Sequence, residues 1–259
     1  MSGRGLLEGQ VALVTGAGGG IGRGIAIRFA EEGAAVVLHC RTAMESAGEV
    51  ASRIRESGGR ALVLRADLTD EEECRRVVAE AAEWGDGRLT ALINNAGVQP
   101  TRELAGMTVA QWRAVVDTNL SSVFACTQAA AEAMRGQEGG GGGSITHIAS
   151  IEATHPAPLH AHYSASKAAV VMHARSAALE YGAFGIRVNT VSPGLIHREG
   201  LEEAWPEGVR RWERAAPVGR LGRAEDVGDA CVFLASGLAS WVTGHDLVVD
   251  GGVSARPTW

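Results

Sequence analysis

Four apolar residues, Val11-Ala12-Leu13-Val14, run straight into the turn Thr15-Gly16-Ala17-Gly18-Gly19-Gly20-Ile21-Gly22. This junction constrains the fold more than any other stretch. A short, wholly apolar run reads as a strand buried on both faces, as in a parallel sheet. After the turn, Ile21, Ile25 and Phe29 recur at helical spacing, and Gly33 stands where a helix C-cap belongs. Ala35-Val36-Val37-Leu38 then reads as a second strand. In this context Gly16, Gly18, Gly20, Ile21 and Gly22 can cradle a pyrophosphate. Glycines let the backbone approach it, and the helix N-terminus offers free N–H groups. The spacing is G-x-x-x-G-x-G rather than G-x-G-x-x-G.

The alternation repeats along the chain. Periodicity predicts helices over 43–57, 70–84, 108–135, 161–181 and 224–235. Between them lie strand-like runs at 61–64, 89–93, 144–148, 186–191 and 247–249. Such regularity implies an α/β chain with a doubly wound parallel sheet. No shift in composition marks a second domain, so residues 1–259 read as one. Residues 198–214 read as irregular or helical and carry Trp205 and Trp212 among several arginines. A mobile substrate lid at about 195–215 is expected there, its tryptophans walling an apolar pocket. Gly139 to Gly143 reads as a mobile surface linker.

Charge and composition exclude several classes of function. The formal net charge of −6 argues against a nucleic-acid or anionic-membrane surface. No apolar run reaches membrane-spanning length, and Met1 to Glu8 lacks the long apolar region of a signal peptide. Cys40, Cys74, Cys126 and Cys231 are scattered, which suits reduced, buried thiols and a cytoplasmic location.

The chemistry concentrates between Ser150 and Lys167. Lys167 is the only lysine of the chain, and Tyr163 is one of two tyrosines. Residues i and i+4 share a helix face, so this spacing sets an ammonium beside a phenol. A nearby cation favours phenolate and brings a tyrosine toward the working range of a general acid/base. Arginine would supply the charge as a broad fork rather than a compact point. The same spacing also occurs on ordinary surface helices. Ser164-Ala165-Ser166-Lys167 formally matches a serine-nucleophile motif, but the required K-T-G element is impossible without a second lysine. His147, His155, His160 and His162 crowd this segment without a zinc-like spacing or a cysteine partner. They read as loop and pocket-rim residues, with His155 or His160 able to reach a substrate.

With these pieces in order, the chain resembles the short-chain dehydrogenase/reductase family in its short form, with likeness to the 3-oxoacyl-carrier-protein reductases. The resemblance runs from about residue 9 to residue 252. It rests on Thr15-Gly-x-x-x-Gly20-x-Gly22, Asp67, Asn94-Asn95-Ala96-Gly97, Asn119, Ser150, Tyr163-x-x-x-Lys167, Asn189-x-x-Ser-Pro193-Gly194, and the closing Thr243-Gly244 and Val249-Asp250-Gly251-Gly252. It implies a Rossmann-type fold and an oxidoreductase moving a hydride between a nicotinamide cofactor and a carbonyl/alcohol pair. Tyr163 would be the general acid or base, and Lys167 would tune it and hold the nicotinamide ribose. Ser150 would hydrogen-bond the substrate oxygen, and Asn119 would position Lys167 through a water. Cofactor contacts would also come from Asp67, Leu68, Asn95, Ala96, Gly97, Pro193, Gly194 and Ile196. A homotetramer is implied, built on the alanine-rich helices at 108–135 and 161–181.

The end of the second strand bears on which cofactor is used. Cys40 stands where NAD-linked relatives carry aspartate, and Arg41 and Thr42 follow. A guanidinium can pair a 2′-phosphate with two hydrogen bonds. NADP is therefore expected over NAD, although Gly19 supplies no second cation. Arg198 departs from the small hydroxyl residue that often touches the nicotinamide amide in the family. A ketone reductase is the leading expectation. An NAD-dependent alcohol or sugar dehydrogenase is the alternative, and a non-catalytic dinucleotide-binding regulator is a third.

Overall fold

Successive residues of the apolar strands enter two different cores, because side chains alternate across a sheet. The computed structural model describes residues 5–137 and 141–255. Among these, the strands are β1 (Val11–Val14), β2 (Ala35–Cys40), β3 (Ala61–Arg65), β4 (Ala91–Asn94), β5 (Gly143–Ile148), β6 (Ile186–Pro193) and β7 (Asp246–Val249). They form one sheet in the order β3-β2-β1-β4-β5-β6-β7, with every pairing parallel. Ala12, Val14, Val36, Leu38 and Ile93 join one core; Leu13, Val37 and Leu92 join the other.

Helices cover both faces. The helices are α1 (Gly20–Glu31), α2 (Met44–Glu56), α3 (Glu71–Trp84), α4 (Val109–Val116), α5 (Ser122–Gly136), α6 (Ala161–Tyr181), α7 (Leu201–Ala204), α8 (Pro206–Ala215) and α9 (Ala224–Ala235). Helices α1, α2 and α9 pack their apolar stripes into the first core, and α3, α5 and α6 into the second. Local chemistry sets their ends. The Asp70 carboxylate caps α3 by accepting from Glu72 N at 2.9 Å, and Thr108 and Gln111 close a capping box on α4. Gly33, with φ of +92°, ends α1 in a conformation that favours glycine.

Two sequence expectations change here, and the structure adds detail to a third. The single helix expected over 108–135 is interrupted by a π-helical turn at Asp117–Ser121, a distortion that often marks functional positions. Of the glycine run, residues 139 and 140 lie outside the described residues. Gly143 is already the first residue of β5, its N–H donating to Gly185 O at 3.2 Å. The segment at 195–215 folds as α7 and α8 over a small core of its own, Leu201, Val209 and Leu221 with Leu195 and Trp212. Trp212 lies against Gly194, whereas Trp205 covers Gly208 of its own segment and stays half exposed.

The alanine faces also divide. Ala129, Ala130 and Ala131 of α5, with Ala174, Ala177 and Ala178 of α6, are buried within the subunit. What α5 and α6 leave outside includes Ala165 and Ala168 together with Phe124, Met172 and Leu179, the last 87% exposed.

The strand order places the switch point of the sheet between β1 and β4. In such sheets the crevice beyond the carboxyl ends of the strands takes the ligand. Every functional segment follows from this register. The glycine turn leaves β1, Arg41 leaves β2, Asp67 follows β3, Asn95 leaves β4, Ser150 follows β5, and Gly194 leaves β6.

Candidate active site

The site is assembled by one buried cation and the groups that enclose it. Lys167 of α6 is buried, and its Nζ donates to Ile148 O at the end of β5, 2.7 Å away. Asn119, wholly buried in the π-helical turn, clamps the loop after β4. Its Oδ1 accepts from Val98 N at 2.8 Å, and its Nδ2 donates to Val98 O at 2.9 Å and to Ser166 Oγ at 3.2 Å. A Cβ placed on Gly97 would stand 3.2 Å from Asn119 Oδ1 and 3.7 Å from Lys167 Nζ, so the glycine keeps the space beside the ammonium open. Ser150 precedes a 3₁₀ turn at Ile151–Ala153 and accepts from Glu152 N at 3.1 Å. Tyr163 sits one helical turn before Lys167, whose Nζ lies 5.6 Å from the phenol ring centroid. The structure thus brings Asn119, Ser150, Tyr163 and Lys167 together.

Their electrostatics differ from the sequence expectation. The Tyr163 phenol is pushed up to about 12, chiefly by burial. A hydrogen bond with the Ser150 hydroxyl opposes the shift, and the Glu152 charge adds to it. The expected depression by Lys167 is not what the protein alone shows. The ammonium is turned to a carbonyl, and burial lowers its own pKa to about 8.

The cofactor-facing residues divide into two kinds. Gly16 and Gly20 have φ of +66° and +50°, and no side chain caps the first turn of α1 at Gly19. The first amides of α1 therefore lack a side-chain acceptor, and a Cβ at Gly20 would meet nothing within 4 Å. This open, donor-lined turn fits a pyrophosphate. A Cβ on Gly22, by contrast, would collide with Gly16 O and Asn95 Nδ2. Gly18 lies close to Ala43, and Ile21 is partly buried against the first core.

Asn95 and Ala96 spend polar atoms on this turn. Asn95 Nδ2 donates to Thr15 O at 2.8 Å and Gly16 O at 3.1 Å, and both backbone N–H groups donate to Thr15 Oγ1. They shape the turn rather than leaving those atoms for a ligand. Cys40 is buried, its thiol reaching Met44 Sδ at 3.3 Å, while Arg41 and Thr42 are exposed. Asp67 accepts from Thr69 N at 3.1 Å and Thr69 Oγ1 at 2.8 Å, which with the Arg41 charge holds its carboxyl below the usual range. Leu68 is buried. Gly194 N donates to Val249 O at 3.0 Å, Pro193 ends β6, and Ile196 bridges to Gly222. Arg198 is exposed, with its O accepting from Leu201 N.

Sequence reasoning passed over three groups. Buried His39 accepts from Gly16 N on Nδ1 at 3.3 Å and donates from Nε2 to Ala66 O at 3.1 Å. Burial lowers its pKa, so the neutral ring pins the glycine turn to β2. Arg65, paired in register with Cys40, donates from Nε to Arg41 O at 3.1 Å and brings a second guanidinium to that strand end. Glu152 sits between Ser150 and the start of α6 with a saturated carboxylate. No local sequence pattern marks any of the three.

The histidines are not all rim residues. His147 is fully buried, accepting from Asn94 Nδ2 at 3.1 Å and donating to His173 Nδ1 at 3.3 Å. His162 is also buried, with Nδ1 accepting from Tyr163 N at 3.0 Å.

The buried ammonium makes a thermodynamic prediction. Between the folded pKa of about 8 and the ordinary 10.5 the unfolded chain binds more protons, so stability rises with pH across that window. From pH 7 to pH 9.5 the cofactor-free protein should gain about 2 kcal/mol relative to Lys167→Met, which lacks the titrating group. Urea unfolding of both proteins at the two pH values measures this, and parallel pH dependences would refute it.

Comparison with known proteins agrees with this architecture. The family model described as enoyl-(acyl carrier protein) reductase matches residues 16–254. The chain is 42% identical to cis-4-hydroxycyclohexanecarboxylate dehydrogenase of Sinomonas cyclohexanicum, over 95% of this chain and 97% of that protein. It is 37% identical to 3β-hydroxysteroid dehydrogenase 1 of Eggerthella lenta, over 97% and 96%. Among solved structures, 7α-hydroxysteroid dehydrogenase complexed with NADH and 7-oxo glycochenodeoxycholic acid superposes with a TM-score of 0.90 at 35% identity, covering 97% of each chain. A parallel sheet in this order, the glycine turn at its switch point and near full-length likeness to these dehydrogenases place the chain in the short-chain dehydrogenase/reductase family, as an oxidoreductase acting on an alcohol/ketone pair.

Proposed function

We propose that this protein is an NADP(H)-preferring ketone reductase working on a carbonyl borne by an alicyclic ring. The convergence of Ser150, Tyr163 and Lys167 on the carboxyl ends of β5 and β6 carries the reading. When bound, the nicotinamide supplies or takes the hydride. Tyr163 moves the proton: with its pKa near 12 the phenol rests protonated, the form that donates to a carbonyl oxygen in reduction. Ser150 hydrogen-bonds that oxygen as charge develops on it. Lys167, its Nζ 5.6 Å from the phenol ring centroid, holds the nicotinamide ribose, and Asn119 fixes the loop that backs it. The alicyclic ring is suggested by the relatives, whose names carry a ring hydroxyl on cyclohexane or a steroid. Tyr163→Phe should keep cofactor binding and lose nearly all turnover. Near wild-type turnover would overturn the assignment, as measured by cofactor oxidation with a panel of cyclic ketones.

The cofactor preference rests on Arg41, exposed at the end of β2 where no carboxylate stands in place of Cys40, and on its neighbour Arg65. Two guanidiniums at one strand end suit a 2′-phosphate. A charged hydrogen bond of roughly 1.5–3 kcal/mol corresponds to a preference of about tenfold to over a hundredfold. The NADH-bound relative shows that the family also uses the other nucleotide. Arg41→Ala should weaken NADP and leave NAD nearly untouched, and Cys40→Asp should shift preference toward NAD. Equal specificity constants for both cofactors in the unmodified enzyme would sink this.

The exposed Phe124, Met172 and Leu179 on α5 and α6 support a homotetramer built on these helices. Light scattering should return four times the 26.9 kDa chain mass, and a monomer mass would reject the assembly.

A further inference from the structure

Beside Tyr163 lies a polar cluster that the proton transfer does not use. Glu152, two residues after Ser150, accepts from Ser164 Oγ at 2.9 Å and from Gln99 Nε2 at 3.0 Å. His160 Nδ1 stands 3.0 and 3.1 Å from its two oxygens, and Gln99 Nε2 lies 3.5 Å from the same nitrogen. These contacts come from three places in the chain: the loop after β4, the turn after β5, and the start of α6. They fill the carboxylate, which offers about four lone-pair sites.

The contacts also fix the imidazole. A carboxylate only accepts, so Nδ1 carries the proton and Nε2 is left with no protein partner among the described residues. Side-chain exposures of 16% for His160 and 14% for Glu152 leave the pair at the rim of the site rather than in the core. The His160 ring meets the Tyr163 ring edge-on with centroids 5.9 Å apart, so the imidazole packs beside the phenol. The charge of Glu152 is felt at the Tyr163 phenol, which places the cluster within electrostatic reach of the chemistry.

We propose that the Glu152–His160 pair is a second recognition point that selects substrates bearing a hydroxyl across the ring from the reacting carbonyl. This rests on the ring-ketone reading above. A hydroxyl suits the imidazole because it can either donate to or accept from Nε2, the ring nitrogen without a protein partner among the described residues. A substrate carboxylate at the same place would face the Glu152 charge. A site built to bind a hydroxyl discriminates against the analogue lacking it, because its own polar groups are then left unpaired.

The test compares 4-hydroxycyclohexanone with 4-methylcyclohexanone, a shape control, and with 4-oxocyclohexanecarboxylate. The wild-type enzyme should favour the hydroxyketone by about tenfold or more in kcat/KM over both. His160→Phe keeps a ring against Tyr163 and removes the nitrogen, so it should lose about tenfold on the hydroxyketone alone. Glu152→Gln, which still accepts from His160, should fall between. The wild-type comparison stands without any variant folding. Equal turnover of the three ketones, preference for the carboxylate, or an equal loss on hydroxy and methyl ketones in His160→Phe would overturn the pair's role while leaving the reductase reading intact. No turnover of any of the three would overturn the ring-ketone reading, and this inference with it.

Discussion

A lone ammonium in the interior is the constraint around which this site is built. Lys167 is buried with a backbone carbonyl, not a carboxylate, as its hydrogen-bond acceptor. Burying an unpaired charge is costly, and the protein meets that cost partly by lowering the pKa to about 8. A carboxylate partner would stabilise the charge, but it would also neutralise the cation that the proposed function assigns to a bound ribose. The isolated cation is thus the price of a usable one. Its position depends on three elements at once: β5 supplies the acceptor, α6 the stem, and the π-helical turn supplies Asn119. Asn119 locks the loop carrying Gly97.

That arrangement explains why the helix predicted over 108–135 is not continuous. A regular helix would have satisfied its own backbone and left no reason for a wholly buried asparagine. The π-helical turn puts the Asn119 amide against the backbone of Val98, where both of its polar ends are used. A similar economy governs the glycine turn. Asn95, Ala96 and His39 each bond to Thr15 or Gly16, so the turn keeps its shape through groups at the ends of β4 and β2 before any ligand arrives.

Much of this was legible in the sequence because it rests on local rules. Apolar runs of four residues announced β1, β2 and β3, and the lone lysine four residues after a tyrosine announced two side chains on one face of α6. Gly143 was misread as linker because a glycine run carries no apolar signal, yet β5 needs a small residue there: a Cβ at Gly143 would press on the Met134 side chain. The alanines of α5 and α6 were legible as close-packing residues but not as to what they pack against, since burial within a subunit and burial between subunits ask for the same side chain. Arg65 was hidden for another reason. Nothing near Cys40 in sequence announces it, and only the register of β2 with β3 sets it beside Arg41.

The proton affinities link the buried cation to the direction of chemistry. In the protein alone the ordering of the pair is inverted from free solution, with the phenol near 12 and the ammonium near 8. Both shifts have one cause, since burial penalises the charged form of each. At neutral pH the pair is therefore a neutral phenol beside a largely protonated lysine. On the proposed role of Tyr163, the proton that a carbonyl oxygen would require is already in place, whereas oxidation of an alcohol would need the phenolate and must first overcome the desolvation that raises its pKa. Glu152 pushes the same way, because a negative charge near the phenol favours its protonated form. The same carboxylate accepts from Gln99 and Ser164 and orients His160. On the function proposed above, one acidic residue would thus favour the protonated phenol that reduction uses.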